Sequence, residues 1–310
     1  MKKQLILLII FIMLPSLFLS ACSGTKTTDQ GDLKIAATTS ILADVVRQVA
    51  GEYADVSSIV PVGQNEHEYQ PAPRDIAAVS DADLVFEVGL GLEEFMATII
   101  ENASEGTKIV TVSDGITTRD FQGVAGDTHA DEHTTGDPHV WLDPVNVIIW
   151  VQNIQAALSE ADPAHAAQYE VNSQAYIDSL TRLDAWIVEQ VANVPPANRK
   201  IVTDHMLFGY FAEKYGFEVI GAVIPSYSSA AQSSAQEMAA LEDAIRSYGV
   251  RVILVGNNVN PALASRIAQD TGIQLVSFYT GSLSEPDGPA GTYIDYMRYN
   301  VTTIMNALKD

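Results

Sequence analysis

The chain has 310 residues, enough for a sizeable core and for two lobes of ordinary domain size. Its 47% hydrophobic and 18% charged content reads as globular and argues against general disorder. Asp and Glu number 39 against 17 Lys and Arg, a net charge of −22. That sign argues against nucleic acid as a partner, because phosphate binding needs a basic surface. It is compatible with a cationic ligand, although an acidic surface alone serves solubility.

Lys2 and Lys3 form a positive start, and Leu5 to Leu19 is almost wholly apolar. This reads as a secretory signal. It is short of the roughly 18–20 residues that a permanent span needs. The sole cysteine, Cys22, follows in "LSAC" and has no partner for an internal disulfide. Its position resembles a bacterial lipobox, in which cleavage leaves the cysteine at the mature N-terminus carrying lipid. The expected order is a signal over 1–21, lipidated Cys22, and a polar tether over 23–31. The protein is then expected on the outer face of the cytoplasmic membrane or in the periplasm.

No short internal repeat is visible, and the chain alternates strand and helix. "LKIAATT" (33–39) is an apolar run ending in hydroxyl residues. "SILADVVRQVAG" (40–51) has helical spacing of Ile41, Leu42, Val45, Val46 and Val49, with Gly51 as a stop. Strands are expected at 55–61, 82–89 and 108–113, with helices around 74–80 and 91–104. Such βαβ alternation implies a parallel sheet covered on both faces.

Asp143-Pro144 is an N-cap followed by proline at the first helical position, and a helix to about Glu160 fits. Asp162-Pro163 repeats the device. Over 163–194, Tyr169, Tyr176, Leu180, Leu183, Ile187 and Val191 recur at helical spacing, with no glycine. A helix of about 30 residues would be about 45 Å long, too long for one lobe. It is expected to be a rod joining two. Strands are then expected at 200–203, 217–223, 250–256 and 273–279. Helices are expected near 206–215, 234–248, 261–271 and 292–308. The predicted class is α/β: a lobe over 32–162, a linking backbone helix over 163–194, and a second lobe over 195–310.

Ligands of open parallel sheets gather beyond the carboxyl ends of strands. Three of the six histidines fall in such places: His67 in "PVGQNEHEYQP", His139 in "GDPHVWLDP" and His205 in "IVTDHMLFGYF". The first two belong to one lobe and the third to the other, so they converge only at the cleft between lobes. Neutral imidazole is a common ligand of zinc and its neighbours. On spacing alone, three separate hydrogen-bonded loop histidines remain an alternative to one metal site.

"PVGQNEHEYQP", "DPHVWLDP", "DHMLFGYFAEKYGF" and "YIDYMRYNV" resemble signatures of the zinc- and manganese-binding lipoproteins of bacterial ABC transporters. The resemblance covers essentially the whole mature chain, and "DPHVWLDP" is its most specific part. It implies two α/β lobes joined by a rigid helix, metal held between them, and delivery to a membrane permease and its ATPase. It maps the ligands onto His67, His139 and His205, and implies a monomer that is not an enzyme. Three imidazoles suit zinc better than manganese, which prefers oxygen ligands. Zinc is therefore the first expectation, and manganese (or iron) the alternative.

Many relatives in that resemblance carry an aspartate in a turn after the last strand. Here that turn reads "YTGSLSEPDG", with Gly281 in its place, and Gly256-Asn257-Asn258 stands where another acid is usual. The fourth ligand is then water or Glu66, with Glu285 and Asp287 as weaker options. An open fourth position also describes catalytic zinc. A zinc hydrolase is thus a rival class, although no independent motif such as H-E-x-x-H supports it. A surface adhesin is a third class and needs no cleft histidines. His129 and His133 sit in a Gly-bounded acidic loop, 123–136, which resembles a shortened form of the family's histidine-rich loop. The resemblance implies weak, transient metal binding there, against the alternative of a solvated spacer.

His165 is expected to be solvated, and Trp141, Trp150 and Trp186 to pack. Ser233 or Ser234 is expected to cap the helix that follows. Tyr227 is a further residue within possible reach of the cleft.

Overall fold

The computed structural model describes residues 33–96, 99, 107–119 and 136–309. The signal, Cys22 and the tether lie outside these residues, as do His129, His133 and most of the second half of the helix expected over 91–104.

The first sheet holds β1 (Leu33–Ala37), β2 (Ala54–Ser58), β3 (Leu84–Glu87) and β4 (Lys108–Thr111), in the order β2-β1-β3-β4. The second holds β5 (Lys200–His205), β6 (Glu218–Ile224), β7 (Val252–Gly256) and β8 (Gln274–Phe278), in the order β6-β5-β7-β8. All pairings are parallel. The two sheets share one strand order, a repeat of topology that the sequence does not display. In each, the order reverses beside the first strand, and such a switch point opens a crevice at the carboxyl ends.

Alternation along the strands explains why their sequences are apolar throughout. Ile35 and Ala37 of β1 enter one core and Ala36 another; Leu254 of β7 and its neighbour Val255 divide likewise. Each sheet thus buries both faces.

Helices start where local chemistry satisfies their free N–H groups. Thr39 caps α1 (Ser40–Ala50) by accepting from the amide of Leu42 at 3.2 Å. The short α2 (Pro73–Ser80) starts at a proline. Asp143 caps α3 (Pro144–Ala161) through the amide of Val145, and Pro144 is its first residue. The rod itself is α4 (Ala166–Ala192), 27 residues or about 40 Å, after a 3-10 turn over Pro163–His165. Its buried stripe contains all six of the predicted apolar residues, together with Ser173.

In the second lobe, α5 (Gly209–Tyr215) follows β5 directly. Ser234 and Glu237 form a capping box for α6 (Ala235–Tyr248). Then come α7 (Ala262–Thr271) and α8 (Tyr293–Leu308). α4 packs against α1, α3 and α8. Residues of both sheets, α4 and α8 belong to one continuous apolar cluster.

One expectation needs adjustment. β5 runs on to His205, so this histidine ends a strand where a connecting loop was expected. His165 is 45% exposed, yet it pairs with Asp162 at 2.6 Å and stacks on Tyr53 with ring centres 4.3 Å apart. No helix among the described residues is long and apolar enough to cross a membrane.

Candidate metal centre

Each cleft histidine is placed by its own short device. His67 lies in the loop after β2, and its amide donates to the Asn65 side chain at 3.1 Å. His139 precedes the 3-10 turn Val140–Leu142, and its amide donates to Asp137 Oδ1 at 3.0 Å. His205 ends β5, and its amide donates to Asp204 Oδ1 at 2.7 Å.

These devices bring the three rings together. His139 Nε2 lies 3.4 Å from His67 Nε2 and 3.3 Å from His205 Nε2. One ligand atom from each ring lies within 4.8 Å of the other two. A tetrahedron with metal–nitrogen bonds of about 2.0–2.1 Å has edges of about 3.3–3.4 Å. Two of the three separations already match that shape.

The far nitrogens of two rings are held. His139 Nδ1 bonds Asp137 Oδ1 at 2.9 Å, and His205 Nδ1 bonds Asp204 Oδ1 at 2.8 Å. A carboxylate there keeps the proton on Nδ1 and leaves the Nε2 lone pair facing the centre. Asp204 is fixed further, because its Oδ2 accepts from the amide of Gly256 at 2.6 Å.

Burial sets the electrostatics. It pushes His67 and His139 well below the ordinary imidazole range, helped by the neighbouring rings, so these two rings stand neutral. It raises Asp137 to about 7, against the pull of the His139 amide and of Arg119. A dication in the centre would pull that carboxyl back toward its anion. Glu66 is likewise raised, to about 6, by burial.

Glu66 is buried beside the cluster, its Oε1 3.9 Å from His67 Nε2. Its Oε2 has no hydrogen-bond partner. Glu285 and Asp287 are exposed and are not brought to the centre. Tyr227 does approach, its ring centre 6.2 Å from that of His139, and Trp141 packs edge-on against His139 at 5.3 Å. Trp141 also donates to Tyr296 at 3.2 Å, which ties this wall of the site to α8.

Asp137 is the member that sequence reading missed. Its signal was present: an acceptor stands one or two residues before each histidine, as in Asn65-Glu66-His67, Asp137-Pro138-His139 and Asp204-His205.

Two α/β lobes around a long helix, with three imidazoles converging between them, define a two-lobed metal-binding protein. The family described as zinc-uptake complex component A, periplasmic, matches residues 35–307, and the chain belongs to it. The chain is 35% identical over 302 residues to the manganese-binding lipoprotein MntA of Halalkalibacterium halodurans, covering 96% of each. It is 34% identical over 317 residues to the manganese ABC transporter substrate-binding lipoprotein PsaA of Streptococcus pneumoniae, covering 99% of each. Among solved structures it is similar to a Mn-bound periplasmic metal binding protein from Candidatus Liberibacter asiaticus. There the TM-score is 0.78 at 30% identity, covering 90% of this chain and 100% of that one. The protein is therefore a metal-binding component of an ABC transporter and not an enzyme, which removes the hydrolase alternative. The adhesin alternative finds no support in these relatives. Those relatives and that solved structure are named for manganese, the metal placed second on sequence.

Proposed function

We propose that this protein captures one divalent transition-metal ion outside the cytoplasmic membrane and hands it to the permease and ATPase of an ABC importer. The observation that carries this reading is the convergence of His67, His139 and His205 from both lobes. His67 and His139 form one half of the centre, His205 the other, and Glu66 supplies a carboxylate. Lipid on Cys22 holds the monomer to the membrane, in keeping with the lipoprotein names of its relatives. The domain limits are those of the sequence: signal 1–21, tether 23–31, lobes 32–162 and 195–310, and linker 163–194.

Manganese is the cargo that the relatives favour. A second reading, zinc, is favoured by the donor set. Three nitrogen donors, two of whose three separations are near-tetrahedral, suit zinc, and nitrogen-rich sites bind zinc more tightly than manganese.

The test is metal analysis of protein purified without added metal, then competition between zinc and manganese by calorimetry. One metal per chain is expected, with affinity lost by orders of magnitude in His139→Ala and the apo fold retained. Unchanged stoichiometry and affinity in His139→Ala would overturn the site.

A further inference from the structure

We propose that Gly281 and Glu66 are one coupled pair: the missing side chain at 281 is the berth of the Glu66 carboxylate, so Gly281 determines where the centre's acidic donor comes from. This rests on the metal-capture reading above. Three observations carry it.

First, the backbone does not require glycine at 281. The positive-φ glycines among the described residues do not include it, so an ordinary side chain is conformationally allowed. Space is what forbids one. A Cβ built on Gly281 would coincide with the carboxyl carbon and both oxygens of Glu66.

Second, the turn around Gly281 is pinned on both sides, so it has no room to retreat. Tyr296 donates to the carbonyl of Thr280 at 2.5 Å. Ser282 Oγ accepts from the amide of Gly63 at 2.7 Å, and Leu283 donates its amide to Ser40 Oγ at 3.0 Å. The flexible end of Glu66 must be the part that yields.

Third, Glu66 is only 3% exposed, and its Oε2 lacks any hydrogen-bond partner. A buried carboxylate oxygen without a partner is costly unless something else satisfies it. The same carboxylate lies 3.9 Å from a cleft nitrogen through its other oxygen. A cation held by the three imidazoles is the missing partner. A methyl group at 281 would swing the carboxylate off this position and remove it from the centre.

The test titrates zinc and cobalt(II) ions into purified wild type, Glu66→Ala, Gly281→Ala and the double variant Glu66→Ala/Gly281→Ala. Affinity is read by chelator competition, and coordination by the visible bands of bound cobalt. Each single variant is expected to lose at least about tenfold in zinc affinity and to show the same change in cobalt bands. The double variant is expected to bind no more weakly than Glu66→Ala, because one berth is lost only once. Wild-type affinity in Gly281→Ala, or losses that multiply in the double variant, would overturn the pair. If crowding lowers the apo stability of Gly281→Ala, adding Glu66→Ala is expected to restore it by emptying the berth, and failure to do so also counts against the pair. His139→Ala in the same titration separates the two claims. If wild type binds neither ion, the metal-capture reading fails. If wild type binds, His139→Ala does not, and 66 and 281 act independently, only the pair fails.

Discussion

Replacing Asp204 by Asn tests whether the centre depends on the groups behind its ligands. Asp204 is 3% exposed and has three hydrogen bonds: from the amide and Nδ1 of His205 at 2.7 and 2.8 Å, and from the amide of Gly256 at 2.6 Å. All three partners are donors as the site now stands, and a carboxylate suits them because it only accepts. Asparagine offers one accepting oxygen. If that oxygen faces His205, the NH2 group meets the Gly256 amide, donor against donor. If it faces Gly256, His205 Nδ1 must accept, the proton moves to Nε2, and the ligand lone pair is lost. Either arrangement also removes a negative charge from beside the bound cation. Loss of such a partner typically costs 10–100-fold in metal affinity, or about 1.4–2.7 kcal/mol. Zinc affinity measured against a competing chelator at neutral pH is therefore expected to fall within that range, with one site per chain retained. Affinity within twofold of wild type, while His205→Ala loses orders of magnitude, would refute the reasoning.

Burial pushes Glu93 up to about 7, although Thr38, Val88 and Gly89 all donate to it. A carboxyl raised on folding favours the folded state below its unfolded value near 4.5, and that share is lost as pH rises through about 7, at most about 3 kcal/mol. Urea unfolding of the apo protein between pH 5 and 8 should then show a shallower fall in Glu93→Gln than in wild type; parallel curves would contradict this. Ser229→Ala/Asn258→Ala removes the bond from Asn65 to Ser229 and that from Asn258 to the Gln64 carbonyl, at 2.9 and 3.0 Å, and leaves Asn65 holding the His67 amide. It is expected to raise the metal off-rate several-fold in stopped-flow chelation while leaving the apo melting temperature nearly unchanged, and an unaltered off-rate would exclude that role for the loop. Deleting 127–135, with His129 and His133, is expected to keep one tight site and slow metal loading; an unchanged loading rate would make the segment a spacer.

Much of the fold is legible because its signals are local. Asp143-Pro144, Thr39 and Ser234 start helices through bonds to amides two or three residues away. The stripe from Tyr169 to Val191 follows from one helix burying one face. His205 was harder to place, since Asp204 and His205 extend β5 beyond the strand expected over 200–203. The three histidines were legible from their positions after strands, but their convergence depends on both lobes and on the rod. The relation of Glu66 to Gly281 was not legible as contact. The two are over 200 residues apart in the chain, and only the folded turn brings one into the space that the other leaves.

Release of the metal is constrained by what each possible motion exposes. A wide hinge between the lobes would split the apolar cluster that contains Phe86 of the first sheet, Leu180 and Leu183 of α4, and Leu254 and Phe278 of the second sheet. Tyr293 and Tyr296 are fully buried in it, with Tyr293 bonded to the Trp141 carbonyl at 2.7 Å. Each such side chain re-exposed costs about 1.5–3 kcal/mol, so several together exceed the stability of many domains. The loop after β2 is tied to the second lobe differently. Gly63 donates to Ser282, Asn65 to Ser229, and Gln64 accepts from Asn258. Three hydrogen bonds at about 0.5–1.5 kcal/mol each make a far smaller barrier. That loop carries both His67 and Glu66. Lifting it would withdraw two of the four proposed donors in one motion, leaving the cation on His139 and His205 alone, with the apolar cluster intact.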